Sequence, residues 1–175
     1  MNDGVPLAAA NAAGGGASVA GSAIVLGAQG RVGAAFARRL LADGYLVSHD
    51  PEHPAELART LSRPLLFDCA YAHGEAEAHV GRIARHLADW RLYAGIFLPS
   101  SRWIEGDGDY PSAKRTLEAL AAFYAGMGAT IVVDRIGYFP GDGVAADPSE
   151  PMIAHLVTGD TLYRRVMTRM NALVR

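Results

Sequence analysis

The sequence predicts an α/β fold: a doubly wound parallel sheet of about five strands with helices on both faces. Three observations lead to it. Short apolar runs alternate with amphipathic helical patterns from Ser22 to Val133. A strand, a glycine turn and a helix follow one another at the start of that stretch. The chain has 175 residues, half of them apolar, enough to bury one sizeable core but scarcely two. Alternation favours a parallel sheet because right-handed crossovers return each strand parallel to the last.

The first strand, Ala23-Ile24-Val25-Leu26, runs into Gly27-Ala28-Gln29-Gly30-Arg31-Val32-Gly33. A helix over 31–43 follows, with Val32, Phe36 and Leu40 on one face, Arg31, Arg38, Arg39 and Asp43 elsewhere, and Gly44 as its stop. Glycines without a Cβ let the backbone approach phosphate oxygens, and the free N–H groups opening the helix face an anion with the dipole's positive end. The pattern therefore predicts a dinucleotide pyrophosphate site. A second strand, Tyr45 to His49, ends in Asp50. A carboxylate there, about 20 residues past the glycine turn, suits ribose hydroxyls and repels a 2′-phosphate, so NAD is expected. NADP is the alternative if Arg31, inside the turn, binds a 2′-phosphate. The plain reading is an ordinary βαβ turn with Asp50 as a solvated loop carboxylate.

A short helix over Pro54 to Leu61, a third strand at Leu65-Leu66-Phe67 and the exit Asp68-Cys69-Ala70-Tyr71 come next. Residues 75–89 repeat a helical pattern with Ala76, Val80, Ile83, Ala84 and Leu87 apolar. Ala94 to Leu98 reads as a fourth strand, Pro111 to Ala125 as a helix burying Ala113, Leu117, Leu120, Ala121 and Tyr124, and Ala129 to Val133 as a fifth strand. With one short helix between the second and third strands, the expected order is 2-1-3-4-5, and ligands belong at the carboxyl ends. A loop-rich stretch through Pro151 precedes helical segments at about 151–157 and 160–174. Residues 1–21, almost wholly Ala, Gly and small polar residues, read as a flexible tail; the domain is expected over 22–175.

Charge and composition narrow the function. A formal net charge of −2 without a basic run gives no footprint for nucleic acid or an anionic membrane, and no apolar run is long enough for a span. A small-molecule partner and a cytoplasmic protein are expected. The single Cys69 excludes an intramolecular disulfide.

A second informative stretch is Leu98-Pro99-Ser100-Ser101-Arg102-Trp103, followed by Tyr110-Pro111-Ser112-Ala113-Lys114. Four-residue helical spacing puts Tyr110 and Lys114 on one side, where an ammonium can stabilise a phenolate and lower a tyrosine pKa of about 10. Such a tyrosine can act as acid or base. Pro111 biases Tyr110 away from helical dihedrals, toward the helix cap position.

Taken together, Gly27, Gly30 and Gly33, Asp50, Cys69-Ala70-Tyr71, Ser100-Ser101, Tyr110 with Lys114, and Arg135 through Pro140-Gly141 resemble the short-chain dehydrogenase/reductase superfamily. The likeness is to its extended branch of nucleotide-sugar epimerases, dehydratases and dTDP-4-dehydrorhamnose-type reductases, shortened at the carboxyl terminus. It implies a Rossmann-like fold. It further implies a cofactor held by Gly27, Gln29, Gly30, Arg31, Val32, Gly33, Asp50, Ala70, Lys114 and Pro140. In that likeness Tyr110 is the proton donor or acceptor, Lys114 binds the nicotinamide ribose, and Ser101, or else Ser100, orients the substrate oxygen. The implied activity is an NAD-dependent oxidoreductase or epimerase/dehydratase acting on a small hydroxyl or carbonyl compound, sugar derivatives among the candidates, with residues of about 141–175 as a reduced substrate segment. Two helices, 75–89 and 111–125, suggest a homodimer.

Rival readings stay open. A relative that binds dinucleotide without redox chemistry, as sensor, partner subunit or non-redox catalyst, fits the short carboxyl-terminal portion; a flavin protein is suggested only by the strand order. Six histidines without metal-ligand spacing predict no metal site. His73 is read as a loop residue, Cys69 as a small hydrophobe, and Trp90 and Trp103 as packing residues, Trp103 alternatively lining a substrate pocket.

Overall fold

The computed structural model describes residues 19–71, 74–139 and 156–174. Five parallel strands form one sheet in the order β2-β1-β3-β4-β5, with β1 at Gly21–Leu26, β2 at Tyr45–His49, β3 at Leu65–Asp68, β4 at Gly95–Ser101 and β5 at Ile131–Ile136. Helices α1 (Arg31–Ala42), α2 (Pro54–Thr60), α3 (Ala76–Ala88), α4 (Asp109–Gly126) and α5 (Gly159–Leu173) alternate with them, with a 3₁₀ turn at Trp90–Leu92. The architecture is Rossmann-like, as expected.

Strand residues are buried on both faces because helices cover both. On one face Val25, Phe67, Phe97 and Val132 pack against Phe36 and Leu40 of α1 and Leu162, Val166 and Met170 of α5. On the other, Ile24, Leu66, Ile96 and Leu98 meet Ile83 and Leu87 of α3 and Leu117 and Ala121 of α4. Register pairs Ala23 with Leu65 and Leu65 with Gly95, so the strand ends carrying the chemistry line up at one edge. Asp134 joins β5 to α5 through two 2.7 Å hydrogen bonds from Arg165. No helix among the described residues is long and apolar enough to cross a membrane.

Several boundaries differ from the sequence reading. β1 starts at Gly21, the last residue assigned to the tail, and β4 and β5 each run three residues further, so that Ser100 and Ser101 are the last two residues of β4. Strand pairing extends them: Ser100 lies opposite Arg135 and Ser101 opposite Ile136. Tyr110 is not displaced to the cap. The cap is Gly108, at φ +115, and Pro111 falls in the first turn of α4, where its missing N–H has no intrahelical acceptor to lose. The buried stripe of α3 is His79, Ile83, His86 and Leu87 rather than the stripe of Ala76, Val80, Ile83, Ala84 and Leu87. Of the two expected terminal helices the second is α5; the first lies mostly outside the described residues, and Leu156 and Val157 are not helical.

Candidate active site

Gly27 closes β1 in the left-handed region, at φ +72, and its missing side chain would collide with backbone: an added Cβ would sit 2.7 Å from Cα and N of Ala70. Gly33 is tighter, with 2.1 Å from such a Cβ to the Gly27 carbonyl oxygen. Gly30 caps α1, and its N–H donates to the Gly27 carbonyl at 2.9 Å. These glycines bring strand, turn and helix into contact, in addition to the access to phosphate expected from sequence. The first turn of α1 holds no acidic residue, and its cap carries no side chain that claims the opening N–H groups. Gln29, Gly30 and Arg31 are exposed and Val32 is half-buried. Such a turn can hold a phosphate.

Asp50, at φ +42, folds over this turn and accepts from the N–H groups of Gly27 at 2.5 Å and Ala28 at 3.0 Å. An ionised carboxylate has about four acceptor sites, so lone pairs remain for ribose hydroxyls. The residues present thus fit a dinucleotide: a cradle that a Cβ would fill, a helix start whose cap makes no side-chain hydrogen bond, and an acceptor at the end of β2.

Beside the turn, a cavity of about 550 Å³ opens at the carboxyl ends of the strands. Val32, Ser100, Ser101, Tyr110 and Lys114 line it together, with Cys69, Tyr71, Pro99 and Trp103 and the Ile136–Phe139 segment. Ala70 lies at the Gly27 contact; Pro140 and His73 fall outside the described residues. Trp103, 43% exposed, packs at a tilt against Tyr138 with 4.3 Å between ring centroids at the wall of the cavity.

The two serines differ in what they can offer. Ser100 Oγ donates to Glu118 Oε1 at 2.6 Å, and Arg135 clamps both oxygens of that carboxylate at 2.8 and 2.7 Å. Hydrogen bonds from Arg135 hold the Glu118 carboxyl below the usual range, so its ionised form retains the serine proton. Ser100 can therefore accept from a ligand but has no spare proton. Ser101 Oγ accepts from the Trp103 N–H at 3.1 Å and keeps its own proton to donate.

Lys114 is 4% exposed. Its Nζ donates to the Pro99 carbonyl at 3.0 Å and lies 5.0 Å and 5.6 Å from the ring centroids of Tyr71 and Tyr110. Those two rings meet edge to face at 5.2 Å. Burial pushes the amine down to about 8, while Asp68 holds it up. Lys114 is also the only lysine in the chain, against fifteen arginines. Arginine stays protonated in proteins, so Lys114 is the one lysine or arginine side chain able to lose its proton near neutral pH. Its uniqueness is legible in the sequence. Sequence reasoning missed Glu118, four residues beyond Lys114 on the same helix face, and His79, 2% exposed and 3.4 Å from Nζ. A histidine on the buried stripe of α3 was the available signal. Burial raises the Cys69 thiol pKa, and this disfavours a thiolate nucleophile. No cluster of metal-ligating residues occurs among the described residues.

No protein-family model matches the chain, and no curated protein sequence matches it. Solved structures do resemble it. The chain aligns over 87% of its length with 49% of the capsular polysaccharide assembling protein CapF from Staphylococcus aureus, at 16% identity and a TM-score of 0.59. It aligns over 89% with 73% of a UDP-N-acetylglucosamine 4-epimerase from Bacillus cereus, at 10% identity and a TM-score of 0.65. A GDP-L-fucose synthetase from Naegleria fowleri bound to NADP matches 88% of the chain with 69% of its own, at 12% identity and a TM-score of 0.54. The chain thus spans about half the length of the first of these. At such identities the likeness establishes the Rossmann-like fold.

Proposed function

We propose that this chain is an NAD-dependent oxidoreductase or epimerase/dehydratase-like enzyme acting on a small hydroxyl or carbonyl compound, a sugar derivative being the favoured class. One observation carries the reading: residues from three separate elements, Val32 of the glycine turn, Ser100 and Ser101 of β4, and Tyr110 and Lys114 of α4, line a single cavity at the carboxyl edge of the sheet. Two of the structural neighbours, a UDP-N-acetylglucosamine 4-epimerase and a GDP-L-fucose synthetase, bear nucleotide-sugar names, which supports the same class.

In this reading the turn of Gly27, Gln29, Gly30, Arg31, Val32 and Gly33 holds the pyrophosphate, Asp50 the adenosine ribose, and Ala70, Lys114 and Pro140 the nicotinamide end. Bound NAD supplies the hydride acceptor. Tyr110 gives or takes the proton at the substrate oxygen, Ser101 donates to that oxygen, and Ser100 accepts from a neighbouring hydroxyl because Glu118 retains its proton. Lys114, as an amine able to ionise near neutrality, supports the tyrosine electrostatically. Asp50 favours NAD; Arg31 keeps NADP as the alternative.

The test is Tyr110→Phe. Removing one hydroxyl deletes the proton-transfer group and little else, so NADH affinity is expected to stay within a factor of two or so, while turnover on the best hydroxyl or keto substrate falls by about 10³-fold. Undiminished turnover would remove Tyr110 from the chemistry. A second reading, dinucleotide binding without hydride transfer, is favoured by Tyr71, whose ring lies over the Lys114 amine and against Tyr110, in the part of the cavity the redox reading needs. Reproducible change at 340 nm with NAD and any member of a hydroxy- and keto-compound panel would reject it.

A further inference from the structure

Behind Lys114, away from the cavity, stands a buried chain of polar groups. Asp68, at the end of β3 and fully buried, accepts from Arg82 Nε and Nη2, each at 3.1 Å. Arg82 Nη2 also donates to the Ala70 carbonyl and lies 2.9 Å from Nδ1 of His79. Nε2 of His79 lies 3.4 Å from Lys114 Nζ. The ring also packs edge to face on Tyr71, with 5.0 Å between centroids.

Proton counting limits what His79 can be. A doubly protonated ring would face a guanidinium on one side and an ammonium on the other, and burial together with Lys114 pushes its pKa down to about 4. The ring is neutral. Arg82 Nη2 carries two hydrogens, and Asp68 and the Ala70 carbonyl can only accept them, so Nδ1 carries the ring proton and shares the Ala70 carbonyl. Nε2 is left with a lone pair aimed at Lys114.

We propose that His79 is a positioning residue for Lys114: its neutral imidazole, held through Nδ1 by the Ala70 carbonyl, accepts from the ammonium and, with the Pro99 carbonyl, leaves the third N–H directed into the cavity. Two of the three ammonium hydrogens are committed to protein acceptors, at 3.0 and 3.4 Å. The remaining one faces the side where the rings of Tyr71 and Tyr110 lie. Asp68 and Arg82 neutralise each other. The ionisable groups facing the amine are Asp68 and Cys69 at the exit of β3, Tyr71 beyond it, Arg82 and His79 on α3 and Tyr110 on α4. The catalytic importance of this positioning rests on the proposed function, whereas the contact itself does not.

Because Lys114 is the only lysine, competitive trace acetylation followed by mass spectrometry of its peptide reads its protonation directly, in the full chain without cofactor or substrate. The native amine is expected to titrate near pH 8, lowered by its burial. In His79→Phe the midpoint is expected to fall by about one pH unit, the tenfold change expected from losing one charge-assisted hydrogen bond. His79→Gln, whose amide oxygen can take the place of Nε2, should restore it. An unchanged midpoint in the folded Phe variant overturns the proposal, and so does an equal fall in both variants, which would assign the effect to packing. If the Phe variant does not fold, His79→Asn, whose amide stops short of Nζ, is compared with Gln under the same criterion. None of these outcomes depends on turnover, so failure here is distinguishable from failure of the enzymatic reading.

Discussion

The two ends of the cleft are built by different means. At the glycine turn, geometry comes from backbone sterics: a Cβ on Gly33 would stand 2.1 Å from a carbonyl oxygen, and Gly27 takes a positive φ against the Ala70 backbone. At the amine end, geometry comes from side chains that meet only after folding: Asp68 from β3, His79 and Arg82 from α3, Lys114 from α4 and the Pro99 carbonyl from β4. The first end is a shape with little charge of its own; the second is a set of charges with little tolerance in shape. The glycine turn should therefore fail through stability, and the amine end through protonation.

The largest effect expected in breaking the comparison is Gly33→Ala. The collision is with backbone on both sides, which cannot rotate away, so denaturant unfolding should record a loss of about 3 kcal/mol. Gly30→Ala, whose Cβ would meet the Gly27 oxygen at 3.3 Å, should cost far less. Equal losses at the two positions would contradict a steric origin for the turn.

At the other end the sign reverses. The Lys114 pKa is lowered from 10.5 to about 8, so between those values the unfolded chain holds a proton that the folded chain has released, and stability rises with pH across that window. Below pH 8 the full cost of burying the ammonium is present. Lys114→Met should therefore stabilise the protein near pH 7 by about 2 kcal/mol and lose that advantage as pH climbs toward 10.5. A gain that is independent of pH would show that titration of the amine is not its source.

A smaller effect sharpens the comparison at Asp50, the carboxylate that folds over the turn. Asp50→Ser removes the carboxylate expected to repel a 2′-phosphate, so the ratio of NADPH to NADH affinity should rise about tenfold, or about 1.4 kcal/mol, in paired titrations. An unmoved ratio would pass the discrimination to Arg31.

The same contrast explains what the sequence made legible. Strand order, helix positions and the turn were readable because each is set by local pattern: Tyr45–His49 has the bounds expected, and Gly27, Gly30 and Gly33 occupy the turn assigned to them. Ser100, Ser101, Tyr110 and Lys114 were nameable from spacing, and all four line the cavity. Spacing could not disclose that Glu118 would take the Ser100 proton, since that requires β4 and α4 to be docked in register. Nor could apolar periodicity find His79. The apolar residues of α3 suggested a stripe through Val80 and Ala84, while the real inner face carries two histidines, kept neutral by burial, beside the Asp68–Arg82 pair. A polar residue whose partners come from other elements leaves no periodic trace.

That the two ends form one site is tested most directly by the lone amine. With NADH added to saturation, monitored independently by nucleotide fluorescence, the rate of trace acetylation at Lys114 at pH 8 is expected to fall about tenfold or more, because a dinucleotide seated on the turn must reach the Lys114 end of the cavity. Saturable NADH binding with the acetylation rate unchanged would contradict the account: the glycine turn and the Tyr110–Lys114 cavity would then be two separate features of one fold.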